Sequence, residues 1–162
     1  MTDDVAHVDA VVTLQRTHQG KDRTELRRSL EDYPKVLLCG DDIGALVRVF
    51  RVTDGLLKDF GGDRVVATPL AESGIVGTAI GLAMRGYRPV CEIQFDGFVF
   101  PGFDQIVSQV AKFHNRPAAR RKSPVPIRIP SGGGIGAVDP HREPGETYLP
   151  PTPGPNGGPA RN

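Results

Sequence analysis

Four short apolar runs punctuate the chain: Val36-Leu37-Leu38-Cys39, Arg64-Val65-Val66-Ala67, Pro89-Val90-Cys91-Glu92-Ile93 and Val125 to Ile129. They are brief and continuous rather than alternating, as expected of strands covered on both faces. Helical patterns fall between them. Asp22 to Leu30 predicts a short helix with Asp22 as N-cap and Leu26/Leu30 as an i,i+4 pair, ended by Pro34. Thr53 to Phe60 predicts a second, stopped by Gly61-Gly62. Glu72 to Arg85 is apolar or small all round, which predicts a helix buried on every side and closed by Gly86 at C′. Phe103, Ile106, Val107 and Val110 recur at i, i+3, i+4 and i+7, predicting an amphipathic helix just after Pro101. Val8 to Leu14 is apolar in patches and fits a short strand or a helix.

The order strand, helix, strand, helix, strand, helix, strand predicts an α/β fold: a parallel sheet with helices on both faces. Ligands of such sheets bind at the carboxyl ends of the strands. The loops there are Gly40–Gly44, Thr68–Glu72, Gln94–Phe98 and Ser131–Gly136, and they are expected to converge in space.

Composition narrows the setting. The chain has 162 residues, room for one domain with a sizeable core, and a formal net charge of +1, which gives no reason to expect nucleic acid as a partner. No apolar run approaches the roughly 20 residues of a membrane span. Met1 to His7 carries acids and no apolar signal core, so a cytoplasmic setting is the default. The two cysteines, Cys39 and Cys91, lie in strand-like runs and read as reduced core thiols. Gly and Pro crowd the region after Ser123, and from Pro140 onward no apolar periodicity remains. The expected organisation is a variable segment over 1–22, a folded domain over 23–139 and a disordered tail over 140–162.

Several residues carry potential chemistry, each with a plainer reading beside it. Glu72 heads an apolar helix; it is either an acid favoured by the helix dipole or a carboxylate sharing a proton with a buried nitrogen base. Asp41 and Asp42 read as a solvated loop, and no further oxygen ligands nearby specify a metal, so none is assigned. Ser131 to Gly136 fits neither the dinucleotide fingerprint nor the phosphate loop and reads as a turn. His141, flanked by Asp139 and Glu143, reads as solvated. Phe95, Phe98, Phe100 and Phe103 form either core packing or the wall of an apolar pocket. The basic stretch Arg116 to Lys122 reads as surface or as a contact to an acidic partner.

Longer motifs shift this balance. Phe50-Arg51-Val52-Thr53-Asp54-Gly55-Leu56, Thr68 to Gly77, Glu92 to Pro101, Phe103 to Lys112, and Ile127-Arg128-Ile129-Pro130 followed by Gly132 to Val138 resemble one family. It is the beta subunit of the thiamine-diphosphate-dependent 2-oxo acid dehydrogenases, the decarboxylating component of the pyruvate and branched-chain complexes, in its bacterial form. The resemblance runs from about Glu25 to Val138. It implies the pyrimidine-binding domain of the thiamine-diphosphate-binding fold, here incomplete, and a cofactor shared between two subunits. An alpha subunit, paired in a heterotetramer, would hold the diphosphate and its magnesium through a Gly-Asp-Gly motif that is absent from this sequence.

By the same resemblance, Glu72 matches the glutamate that hydrogen-bonds a pyrimidine ring nitrogen. Leu70 and Gln94 match pocket-lining positions, Phe98 a position on or near the ring, and Asp41 a loop position where the family usually has Glu. His141 matches a histidine that assists acyl transfer to lipoamide. The implied function is oxidative decarboxylation of a 2-oxo acid, with the acyl group passing to a lipoyl acyltransferase core. A branched-chain substrate (2-oxoisovalerate) is preferred over pyruvate.

There are departures. Val47-Arg48 stands where the family has Gly-Gly, and the sequence around His141 differs. The sequence also ends before the rest of the family's chain, so a C-terminally truncated subunit is expected. The alternatives are a catalytically silent fragment that at most binds a partner subunit, and another thiamine enzyme such as a transketolase relative.

Overall fold

The computed structural model describes residues 11–15, 19–44, 51–112, 125–130 and 156–159. These form a sheet of strands β1 (Val11–Gln15), β2 (Val36–Asp41), β3 (Val65–Thr68), β4 (Arg88–Glu92), β5 (Ile127–Pro130) and β6 (Asn156–Pro159). The order across the sheet is β3-β2-β4-β5-β1-β6, and every pairing is parallel. The helices are α1 (Gln19–Asp32), α2 (Leu56–Phe60) and α3 (Glu72–Met84). A 3₁₀ segment, Asp96–Gly102, and a π-helical turn, Gln105–Val110, follow β4.

The continuous apolar runs do become strands covered on both faces, and successive residues go to opposite sides. Val36, Leu38, Val65 and Val90 pack with Leu26 and Leu30 of α1 and Leu56 of α2. Leu37, Cys39, Cys91, Ile93, Ile127 and Ile129 pack with Ile75, Val76 and Ala79 of α3 and with Val99, Ile106 and Val110 beyond β4. The sheet therefore separates two apolar layers. Arg64 ties the amino-terminal edge together, donating to the carbonyls of Val36, Leu30 and Tyr33.

Three expectations are corrected. Asp22 lies in the first turn of α1 and is not its N-cap; the helix starts three residues earlier, and the buried Asp22 carboxylate accepts from Arg128. α3 is not covered all round: Ile75, Val76, Ala79 and Ala83 are buried, while Ser73, Gly74, Thr78, Gly81 and Met84 are exposed. Its small residues leave one face that nothing else among the described residues covers. The expected regular helix after Pro101 is split. Pro101 sits in the 3₁₀ segment, and an Ala111 N–H to Ile106 carbonyl bond of 2.8 Å marks the wider π turn, which still buries Ile106 and Val110.

Within the segment expected to be a tail, Asn156–Pro159 pairs with β1 as strand β6; the rest of 140–162 lies outside the described residues. Val11–Gln15 takes the strand alternative. Gly86, at φ 87°, follows α3 as anticipated, and Cys39 and Cys91 are both free and buried.

Candidate functional site

Parallel strands end at one edge, so the loops after β2, β3 and β4 meet there. Register makes this concrete. Asp41 of β2 pairs with Thr68 of β3, and Gly40 pairs with Glu92 of β4, two residues before Gln94. The chain turns out of β2 at Asp42, whose φ of 53° lies in the left-handed region that Asp tolerates. After β3 it crosses Pro69 and Leu70 and enters α3 at Glu72.

Glu72 is buried in the first turn of α3, beside the partial positive charge of the helix terminus. No hydrogen bond to its carboxylate is formed among the described residues. It lies close enough to Asp41 for the two to interact: burial chiefly, then the charges of Asp42 and Glu72, push the Asp41 carboxyl above its ordinary value. The 3₁₀ segment packs against the head of α3 at Gly102. A Cβ there would sit 3.3 Å from the Glu72 Cβ and carbonyl oxygen, so the absent side chain lets this segment close over the carboxylate's backbone.

The hydroxyl of Thr68 is buried and finds no hydrogen-bond partner among the described residues. An unsatisfied buried hydroxyl is disfavoured by about 1–3 kcal/mol. It and Glu72 place a hydroxyl and a carboxylate at the two ends of the β3–α3 connection, with no hydrogen bond to either among the described residues. Gln94 is half-buried at the exit of β4. Phe98 is half-buried and meets Phe95 edge to face, with ring centroids 5.3 Å apart and planes at 80°. Leu70 is 60% exposed, an apolar side chain standing free at the rim.

The structure thus gathers Asp41, Leu70, Glu72, Gln94 and Phe98 onto one edge, contributed by three loops. His141, the Ser131–Gly136 loop, Val47-Arg48 and Arg116 to Lys122 lie outside the described residues. Thr68 was not singled out from sequence; its role at the edge depends on its pairing with Asp41, which only strand register reveals.

A second polar group lies below the edge, on the α1 side of the sheet. Arg128 of β5 donates to Glu92 of β4 at 2.6 Å and to Asp22 of α1 at 3.0 Å. All three are largely buried. Burial pushes the Glu92 carboxyl up to about 7, against the opposing pull of the Arg128 charge and hydrogen bond. This group positions the end of β4 rather than facing the loop edge.

A family model described as the transketolase pyrimidine-binding domain matches residues 23–149. The chain belongs to that family. This pyrimidine-binding domain is 64% identical over 124 residues to the pyruvate dehydrogenase E1 component subunit beta of Leifsonia xyli subsp. xyli, covering 76% of this chain and 37% of that protein. It is 54% identical over 114 residues to the 3-methyl-2-oxobutanoate dehydrogenase subunit beta of Mycobacterium tuberculosis, covering 70% and 33%. It is 49% identical over 129 residues to the pyruvate dehydrogenase E1 component subunit beta of Staphylococcus aureus, covering 80% and 40%. The pyrimidine-binding domain therefore spans well under half the length of the curated relatives it matches. A solved split-gene transketolase, an inactive beta4 tetramer, aligns at a TM-score of 0.45 and 16% identity over 77% of this chain and 55% of that one.

Proposed function

We propose that this chain supplies the pyrimidine half of a thiamine diphosphate site in the beta subunit of a 2-oxo acid dehydrogenase. The observation that carries the reading is the Glu72 carboxylate: buried, at a helix head, and without a protein hydrogen bond among the described residues. Such a group is stabilised by a partner that can share a proton or a hydrogen bond with it. A protonated or proton-sharing ring nitrogen does so, and the neighbouring Thr68 hydroxyl offers a further polar contact on the same edge. These residues fit an aminopyrimidine.

Bound at this edge, thiamine diphosphate supplies an electron sink for the carbanion left when a 2-oxo acid loses CO2. Glu72 holds a proton at a pyrimidine ring nitrogen. Asp41 stands beside it, its carboxyl pushed above the ordinary value by burial and by the Asp42 and Glu72 charges. Gln94 orients the ring edge, and Phe98 and Leu70 exclude water from its face. His141 is proposed to assist acyl transfer to a lipoyl group.

The diphosphate and its magnesium are proposed to be held by an alpha subunit, and the exposed small-residue face of α3 is suited to close subunit packing. The acyl acceptor would be the lipoyl arm of an acyltransferase core, in the cytoplasm. Relatives named for pyruvate and for 3-methyl-2-oxobutanoate both match this chain, so the branched-chain preference is carried as one arm of the test.

The test mixes the chain with an alpha subunit of a pyruvate or 3-methyl-2-oxobutanoate dehydrogenase, thiamine diphosphate and Mg2+. Cofactor binding is read by calorimetry and CO2 release with each 2-oxo acid. Wild-type chain should confer cofactor binding that Glu72→Ala abolishes. Equal binding by Glu72→Ala sinks the assignment of Glu72. Subunit association with no cofactor binding would favour the reading as a silent partner-binding fragment.

A further inference from the structure

The two cysteines occupy neighbouring rungs of the sheet. Cys39 of β2 and Cys91 of β4 are register partners, and their sulfurs lie 3.7 Å apart inside the layer formed with α3. The function proposed above uses neither. Both are buried, and among the described residues the side chains packed around them on that face are apolar. They are a dithiol whose two members face each other.

Adjacent parallel strands run about 4.8 Å apart, within the range of Cα separations that disulfides bridge. The sulfurs must therefore close from 3.7 Å to about 2.05 Å, by rotation of the two side chains together with a small approach of the two strands. The Cβ atoms of directly paired residues stand wider apart than the roughly 3.8 Å of a relaxed bridge. A bond here would be strained, and strained disulfides are the easily reduced, labile ones.

We propose that Cys39 and Cys91 form a reversible disulfide across β2 and β4 when the protein meets a small peroxide. The Cys39 sulfur, as thiolate, attacks one oxygen of hydrogen peroxide. The O–O bond breaks, Cys39 becomes a sulfenic acid and the departing hydroxide is protonated to water. The Cys91 sulfur then attacks the Cys39 sulfur, expelling hydroxide, which leaves as a second water with the Cys91 proton. Two thiols are oxidised by two electrons in all, and one peroxide is reduced to two waters.

Cys39 is the better first nucleophile: it is the less deeply buried of the two, and the contact between the sulfurs pulls its thiol down, whereas that contact first and burial second push the Cys91 thiol up. Hydrogen peroxide is neutral and close to water in size, so local opening at the end of β2, two residues from the loop edge, suffices for entry. The bridge would fix β2 to β4 directly beneath Asp41 and Gln94.

The test uses the reduced wild-type chain, folded, treated with hydrogen peroxide, then alkylated in denaturant and analysed by mass spectrometry. The expected product is a monomer lighter by about 2 Da, with both cysteines protected, their peptides linked and the change reversed by dithiothreitol. Overturning results are sulfinic or sulfonic acids on unlinked cysteines, dimers as the main product, or no reaction when folded while the unfolded chain oxidises. With Cys91→Ser, a sulfenic acid should be trapped at Cys39. Trapping it instead at Cys91 in Cys39→Ser, and not at Cys39, would overturn the assigned order of attack.

Discussion

Raising the pH from 4.5 to about 7 should weaken the fold through one side chain, Glu92. In the unfolded chain this carboxyl titrates near its ordinary value of 4.5, whereas burial in the native sheet raises it to about 7. Below 4.5 both states hold the proton and Glu92 is neutral in each. Between the two values the native state keeps a proton that the unfolded state has lost, so stability falls as pH rises, and the loss is complete above about 7. At about 1.4 kcal/mol for each pH unit, the gap between 4.5 and about 7 amounts to about 3 kcal/mol. Glu92 is only 7% exposed, so solvent screening discounts this little. The physical cause is burial of the carboxyl, which outweighs the opposing charge and hydrogen bond of Arg128, a cation that Glu92 shares with Asp22. Urea unfolding followed by circular dichroism, from pH 4.5 to 8 at constant ionic strength, gives the stability curve. Glu92→Gln keeps the shape and a hydrogen-bonding oxygen but removes the titration. The stability of wild type relative to Glu92→Gln should fall by about 3 kcal/mol across the range. A difference that stays constant with pH would refute the reasoning.

Arg128→Ala leaves Asp22 and Glu92 buried without their shared cation and should destabilise by about 3–5 kcal/mol, read by the same urea titration. Gly40→Ala drives a Cβ into the Glu92 carbonyl oxygen, so β2 and β4 must separate; a loss of about 1–3 kcal/mol is expected in thermal melts. Glu72→Gln removes one of the charges that raise Asp41, so the Asp41 carboxyl should titrate at lower pH by NMR, and an unchanged value would place Glu72 too far away to matter.

Strands β2 to β5 were legible because they are continuous apolar runs set between helices that end at Pro or Gly, whereas β6, Asn156-Gly157-Gly158-Pro159, has no apolar run to announce it. Loops such as Thr68–Glu72 could be placed at one edge from connectivity alone. What stayed hidden depends on partners distant in sequence. A first-turn Asp22 looks like a capping residue until Arg128, 106 residues away, is brought beside it by register and helix packing. Glu92 reads as part of an apolar strand for the same reason. The composition of α3 reported how apolar its faces are but not which of them this chain covers. The i, i+3, i+4, i+7 spacing after Pro101 identified the buried Ile106 and Val110 correctly, yet could not show that the backbone reaches them through a tight segment and then a wide turn. At the candidate site, Asp41, Leu70, Glu72, Gln94 and Phe98 were named through motif resemblance; the contribution of Thr68 needed the β2–β3 register.

The all-parallel strand order also constrains how the protein is made. Of the six strands β1 leaves the ribosome first, but its two partners among the described residues are β5 and β6. From Gln15 to Ile127 is about 110 residues, so at roughly 5–20 residues per second β1 waits on the order of ten seconds for its first rung. Strands β2, β3 and β4 can pair with one another well before then, within a shorter stretch of chain. The earliest of these six strands is thus among the last of them to find its place, and during that interval its unpaired backbone is open to other nascent chains.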